Sequence, residues 1–243
     1  MFNFLRRGKP LGAYDFLRTD LHSHLLPGID DGAQEMEQSL SLIQALLDMG
    51  FRKLITTPHV MSDLYPNTPA VIRERLSAVR KAAKDNGIEV ELDAAAEYLM
   101  DEGFEALLEE GELLTLPGDR VLVEMSFIAA PPKLDEYLFR LQMKGYKPLL
   151  AHPERYLFFR ENFGRYKELR DRGCDFQLNL LSLTGYYGKP VRENAVALLK
   201  AGLVDFLGTD LHHDRHAARL QAALEDKEIG RLLAGKSFEN TSL

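Results

Sequence analysis

The sequence predicts an α/β fold built on a largely parallel sheet and closed into a single domain. Three observations predict it. A polar, helix-like stretch ends in Gly five times, and an apolar run follows within a few residues each time. The helical stretches carry apolar residues at the 3.6-residue period. The chain has 243 residues, 45% apolar and 28% charged, and no Pro/Gly/Ser-rich linker or low-complexity tract divides it, which suits one well-packed soluble unit.

The elements follow in order. A first strand is expected at 16–23. Met36, Leu40, Ile43 and Leu47 share one face of the helix that follows. Met49-Gly50 closes that helix before a strand at 53–58. Val71, Leu76, Val79 and Ala83 mark the next helix, and Asn86-Gly87 ends it before a strand at 88–96. The apolar run at 121–125 is a fourth strand. Lys144-Gly145, Arg172-Gly173 and Ala201-Gly202 then precede strands at 148–152, 175–180 and 204–210. Glycine suits each junction because it takes positive φ without a Cβ clash. Strands that follow helices this regularly form αβ units. Pattern alone leaves a closed barrel and an open doubly wound sheet as alternatives. No G-x-G-x-x-G follows the first strand and no Walker A run is present.

Composition excludes several classes. The net charge of −7 argues against a nucleic-acid partner. One cysteine, Cys174, permits no internal disulfide and points to a reducing, cytoplasmic setting. No apolar run approaches the ~18 residues that span a bilayer. Residues 1–10 are basic and partly aromatic but lack the apolar core and cleavage site of a signal peptide. Residues 1–14 are expected to be a flexible extension and 15–243 the folded domain, with weak membrane-surface contact as the second reading of the N-terminus.

Ionisable residues gather where predicted strands end. His22 and His24 end the first, His59 the second, His152 the fifth, and His212 lies just past the seventh. Glu97 ends the third, Glu124 the fourth and Asp210 the seventh, while Asp30 and Asp31 follow the first. In a parallel barrel all C-terminal strand ends face one rim, so these residues are expected to converge. His22 and His24, two apart on a strand, point to the same side about 7 Å apart. A carboxylate such as Glu124 within Val121-Leu122-Val123-Glu124-Met125 is costly to bury without a cation. Imidazole and carboxylate without thiolate suit Zn, Mn, Fe or Ni. Asp31, Glu97, Glu124 and Asp210 supply four negative charges. Two or three divalent ions would balance them and leave room for a phosphate dianion.

Seven runs carry these residues: Asp20-Leu21-His22-Ser23-His24, Asp30-Asp31-Gly32, Thr57-Pro58-His59, Ala96-Glu97, Val123-Glu124-Met125-Ser126, Ala151-His152-Pro153-Glu154-Arg155-Tyr156 and Thr209-Asp210-Leu211-His212. In this order they resemble the PHP (polymerase and histidinol phosphatase) superfamily. Within it they are similar to the bacterial capsule and exopolysaccharide metal-dependent tyrosine phosphatases of the CpsB/CapC type. The resemblance implies a distorted (β/α)7 barrel in one domain. It implies a first metal held by His22, His24, Glu97 and Asp210, and a second held by Glu97, Glu124 and His152. Asp31, His59 and His212 would hold a third, with Asp30 orienting its neighbours. It further implies two to three divalent ions, with Mn first and Fe, Zn or Co as alternatives. Arg155 and Arg215 are the phosphate contacts and catalytic arginines it implies, with Arg219 a substitute for the second.

The function expected on this basis is hydrolysis of a phosphate ester by a metal-bridged hydroxide. The resemblance implies that the substrate is the phosphotyrosine tail of a bacterial tyrosine autokinase. A phenolate leaving group, with a pKa near 10, needs little help from a general acid; His213 and His216 are the candidates for one. Glu124, where many relatives carry His, favours the tyrosine phosphatase branch over the alternative of a histidinol phosphatase. Cysteine-based phosphatase chemistry is excluded, because Cys174 is not followed by the x5-Arg loop that would cradle phosphate. A nuclease lacks the basic and aromatic patches it would need. From another class, a catalytically silent metal-binding interaction module is the remaining alternative. Tyr186 and Tyr187, between glycines, are candidates to touch an aromatic substrate, and Asn179 to support the metal ligands.

Overall fold

The computed structural model describes residues 9–110 and 112–243. Among these, strands and helices alternate through most of the chain. The strands are β1 (Thr19–Asp20), β2 (Lys53–Thr56), β3 (His59–Val60), β4 (Glu91–Ala94), β5 (Glu97–Leu99), β6 (Arg120–Glu124), β7 (Lys147–Ala151), β8 (Asp175–Asn179) and β9 (Phe206–Gly208). The helices are α1 (Met36–Asp48), α2 (Pro69–Asp85), α3 (Glu102–Glu110), α4 (Leu134–Met143), α5 (Gly164–Asp171), α6 (Leu180–Leu183), α7 (Lys189–Ala201), α8 (Asp214–Ala223) and α9 (Lys227–Leu233). All the strand pairings are parallel. One sheet has the order β1-β2-β4 and the other β3-β5-β6-β7-β8-β9. All five predicted glycines, Gly50, Gly87, Gly145, Gly173 and Gly202, have positive φ.

Four strands differ most from expectation, of which the last, expected at 204–210, shortens to β9 and leaves Asp210 just past its end. The strand expected at 53–58 splits into β2 and β3, because Pro58 has no N–H to continue the ladder. The strand expected at 88–96 becomes β4 and β5, so Glu97 begins a strand rather than ending one. Backbone hydrogen bonds still cross both breaks, from Ala95 to Thr56 (2.9 Å) and from Glu97 to Pro58 (3.1 Å). The first strand shortens to β1, since turn hydrogen bonds from Leu17 to Tyr14 and from Arg18 to Asp15 occupy the residues before it. Past β1 the chain still pairs: Ser23 bridges Leu211 in parallel, and the Asp210 N–H donates to the His22 carbonyl at 2.7 Å.

Helix faces follow the periodicity with a shift in α1, whose buried stripe is Ser39, Leu42, Ile43 and Leu46; Leu40 is only half-buried. In α2, Leu76, Val79 and Ala83 are buried as expected, with Ile72 in place of Val71. The expected flexible extension is shorter on its described side. Leu11 and Gly12 donate to the Leu224 carbonyl, at 2.9 and 3.3 Å, and Tyr14 is buried. Residues 1–8 lie outside the described residues. No described helix is long and apolar enough to cross a membrane.

The core has two parts. The larger packs strand side chains such as Val121, Val123, Leu150, Phe176 and Leu178 against the helices. The smaller gathers Leu21, Ile55, Ala95, Leu122, Leu149, Ala151 and Phe206 on the opposite strand faces. Alternation along a strand therefore decides where the polar residues point. Glu124 shares the face of Leu122, while Gln177 and Asn179 take the face opposite Phe176 and Leu178.

Candidate metal centre

The nine predicted ligands come together on one rim, at strand ends and, for His59 and Glu97, just past the breaks that separate β2 from β3 and β4 from β5, and Glu97 is their centre. Its Oε2 lies 3.1 Å from His22 Nε2 and 3.5 Å from His24 Nε2, and both imidazoles also face Asp210 Oδ1, at 3.4 and 3.5 Å. The other oxygen, Oε1, is 3.0 Å from His152 Nε2, which in turn is 3.9 Å from Glu124 Oε2. Farther out, Asp31 Oδ1 lies 3.5 Å from His59 Nε2 and 3.4 Å from His212 Nε2. His59 also turns Nδ1 inward, 2.9 Å from Glu124 Oε1 and 3.2 Å from Glu97 Oε2. Four sets of donor atoms thus lie close enough to share an ion, and each of the nine residues belongs to at least one of them.

Hydrogen bonds behind the imidazoles aim their inner nitrogens. His22 Nδ1 meets Gln177 Oε1 at 2.7 Å, His24 Nδ1 meets Asp30 Oδ2 at 2.8 Å, and His212 Nδ1 meets the Asp210 carbonyl at 2.9 Å. Such partners orient a ligand ring and fix its tautomer. Asp30 also accepts from the backbone N–H groups of Gly32 and His59, so it braces the loop while Asp31 faces outward. Asn179 donates to Asp210 Oδ2 at 2.6 Å. Gln177 belongs to none of the sequence motifs, although a second polar residue two before Asn179 in an apolar strand is a legible sign of a shared polar face. His152 and Asp210 both have positive φ, 34° and 51°. Non-glycine residues adopt this uncommon conformation chiefly where surrounding structure demands it.

The chemistry of the donors fits divalent ions. Among the described residues His22 Nε2, His24 Nε2, His59 Nδ1, Glu97 Oε2 and Glu124 Oε1 are buried with no hydrogen-bond partner. They approach each other closely yet are misaligned for hydrogen bonding, as atoms aimed at common points would be. Electrostatics agree. Burial alone would lower the His22 pKa, but Glu97 and Asp210 outweigh it and raise it to about 9. His24 is likewise held well above the ordinary value against burial, by Asp30, Asp210 and Glu97. Glu97 stays well below the usual carboxylate range despite burial, because His22 and His59 face it. The carboxylates draw protons onto the imidazoles, the positive charge that metal ions would otherwise bring.

A cavity of about 350 Å³ opens over the cluster, lined by Asp31, His59, Glu124, His152, Asp210 and His212 together with Met61, Leu64, Tyr65, Phe127, Arg155 and Tyr187. Arg155 donates to Asp210 Oδ2 at 3.1 Å. Arg215 is not brought to this site: it is exposed in the first turn of α8 and does not line the cavity, since that turn points His216 inward and its neighbour out. Arg219 donates to the Thr184 carbonyl instead. His213 caps α8 by accepting from the His216 N–H, and His216 Nδ1 accepts from the His212 N–H. Burial and the neighbouring imidazoles of His213 and His212 lower the His216 pKa to about 4, which leaves it without a proton to give at neutral pH. Cys174 is buried, its thiol pushed up to about 12, which agrees with its exclusion as a nucleophile.

Fold and centre together define a class: a parallel α/β protein whose strand ends carry a buried histidine–carboxylate cluster suited to several divalent ions. A family model described as "Capsular polysaccharide synthesis, CpsB/CapC" matches residues 18–231. The tyrosine-protein phosphatase YwqE of Bacillus subtilis (strain 168) is 32% identical over 229 residues, covering 92% of this chain and 90% of that protein. The tyrosine-protein phosphatase CpsB of Streptococcus pneumoniae is 29% identical over 200 residues, covering 80% of this chain and 82% of that one. Among solved structures, one chain described under "Crystal structures of YwqE from Bacillus subtilis and CpsB from Streptococcus pneumoniae, unique metal-dependent tyrosine phosphatases" matches with a TM-score of 0.78 at 29% identity, over 90% of this chain and 96% of that chain. Histidinol phosphate phosphatase from Lactococcus lactis shares the fold, with a TM-score of 0.53 at 16% identity over 88% of this chain and 94% of that one. The chain belongs to the CpsB/CapC family.

Proposed function

We propose that this protein is a metal-dependent protein-tyrosine phosphatase that acts in the cytoplasm on the phosphotyrosine tail of a bacterial tyrosine autokinase. The observation that carries the reading is the convergence on Glu97, whose Oε2 faces the imidazoles of His22, His24 and His59 and whose Oε1 faces that of His152. The relatives named as tyrosine-protein phosphatases support the substrate class. Residues 15–243 form, in this reading, one distorted (β/α)7 barrel. In support, β2 with β3 and β4 with β5 each count as one interrupted strand, and the Ser23–Leu211 bridge joins the first strand to the last.

His22, His24, Glu97 and Asp210 would hold one ion; Glu97, Glu124 and His152 a second; Asp31, His59 and His212 a third. Mn is the first candidate. Divalent ions held there supply Lewis acidity toward phosphoryl oxygens and bring the pKa of water toward neutrality. The chain's own groups do the rest. Arg155 presents a planar fork of donors that matches two phosphate oxygens and stabilises charge building on them. Phe127, Tyr65, Met61 and Leu64 give the phenyl ring of the substrate an apolar wall. A phenolate, with a pKa near 10, leaves without a strong acid, consistent with a proton-poor His216.

The test is hydrolysis of a phosphotyrosine peptide and of histidinol phosphate, before and after chelation, with Mn, Fe, Co and Zn added back. A His22→Ala, His24→Ala double variant runs in parallel. Activity lost on chelation, restored by metal, absent in the variant and favouring the peptide is the expected result. Turnover that survives both treatments overturns the metal mechanism, and preference for histidinol phosphate overturns the substrate class.

A further inference from the structure

We propose that Phe127 and Tyr187 are positioning residues that clamp the Arg155 guanidinium between their rings and fix the plane in which it meets an oxyanion. Its catalytic consequence rests on the phosphatase reading above; the clamp itself does not. The guanidinium carbon lies 4.2 Å from the Phe127 ring centroid and 4.3 Å from that of Tyr187. Topology explains why two rings reach one cation. β6, β7 and β8 are neighbours in that order, so the loop after β7 is flanked by those after β6 and β8. Each contributes one member: Phe127 follows β6, Arg155 follows β7 and Tyr187 follows β8. Phe127 stacks further on Tyr156 at 5.9 Å, and Tyr187 packs edge-on against Tyr186 at 5.1 Å. Each ring is thus packed against a further aromatic side chain.

Arg155 needs such support. Its side chain is 21% exposed, and the carboxylate it pairs with, Asp210, offers a single oxygen that Asn179 also occupies. Asp210's other oxygen faces His22 and His24. The adjacent Glu154 is turned away, accepting from the Asn179 N–H and the Ser182 hydroxyl. Among the described residues, no bidentate carboxylate therefore sets the orientation of the fork. Two ring faces do: a guanidinium stacked on aromatic faces keeps its N–H donors in the plane between them, here along the cavity that holds the predicted ligands. What Arg155 can then present to phosphate is its edge, in one plane.

The experiment uses the full chain with Tyr187→Leu and Phe127→Leu, the conservative Tyr187→Phe and Phe127→Tyr, and Arg155→Met as reference. In the metal-free protein, the Arg155 Nε–Hε NMR resonance, assigned by its loss in Arg155→Met, is expected upfield from the ring currents. It should move toward the free-arginine position in both Leu variants and stay in the conservative ones. With Mn restored and bound metal measured as unchanged, the Leu variants should lose roughly 3- to 30-fold in kcat/KM on p-nitrophenyl phosphate and in inorganic phosphate affinity. Tyr187→Leu should cost nothing further in an Arg155→Met background. An unshifted resonance in the wild-type protein, or an equal loss with and without Arg155, overturns the clamp. A shifted resonance and ring-dependent phosphate binding in a protein that hydrolyses no phosphate ester would uphold the clamp and sink the phosphatase reading instead.

Discussion

Glu154 offers the sharpest test of how the site is braced. It is fully buried next to Arg155. Oε1 accepts from the Asn179 N–H at 3.0 Å and the Ser182 hydroxyl at 2.6 Å, while Oε2 has no hydrogen-bond partner among the described residues. Burial, only partly offset by those hydrogen bonds, raises its pKa from 4.5 to about 7. Between these values the unfolded chain has lost the proton while the folded chain keeps it. Stability from this group is therefore fully present below about pH 4.5 and is lost as pH rises through about 7. A shift of this size corresponds to about 3 kcal/mol, on the order of 10 °C in Tm for a chain of this length. Glu154→Gln keeps the acceptor and stays neutral at every pH. In thermal melts of the metal-free protein from pH 4 to 9, the variant is expected to match wild type below about pH 4.5, to gain on it between there and about pH 7, and to keep a constant lead at higher pH. Parallel curves across that range would refute the reasoning.

Two further predictions concern the ions. Glu97→Gln should remove at least one ion per chain: the carboxylate sits 3.0–3.5 Å from four imidazoles. At such range a unit charge is worth about 5 kcal/mol at an effective dielectric of about 20, and losing half of that costs nearly 100-fold in affinity. Elemental analysis with a Mn titration checks it, and a variant that retains every ion and wild-type turnover contradicts it. Gly32→Ala should disturb the Asp31 side first, because a Cβ there would stand 2.2 Å from the His24 carbonyl oxygen and 2.4 Å from His24 Cβ. Backbone cannot yield cheaply, so overpacking of about 1–3 kcal/mol is expected, with weaker binding of the outermost ion. An unchanged melting temperature together with unchanged Mn stoichiometry would count against it.

The site also indicates how activity should respond to added oxyanions. Arg155 and the cluster face the same cavity, so inorganic phosphate should inhibit competitively with substrate. Arg155→Met should weaken that inhibition by roughly 10-fold, the scale of a charge-assisted hydrogen bond. Steady-state kinetics at several phosphate concentrations would reveal it; inhibition of equal strength in the variant would place phosphate elsewhere.

The alternation of helix, glycine and apolar run was legible along the chain because capping and burial periodicity are local: each needs only a few neighbouring residues. The ligand inventory was legible for a related reason. A His or Glu closing an apolar run must find a partner wherever the chain takes it. What the sequence could not determine was pairing. Thr209 reaches the His22 carbonyl across 187 residues, and only that closeness lets Asp210 face His22 and His24. The two-sided use of Glu97 follows from its inward-facing place at the start of β5, beside the break that Pro58 makes between β2 and β3. The ring clamp on Arg155 depends on β6, β7 and β8 lying side by side, and the exclusion of Arg215 on the rotation of α8. Local propensity determines which residues sit at strand ends; the register of distant strands decides which of their atoms share a point in space.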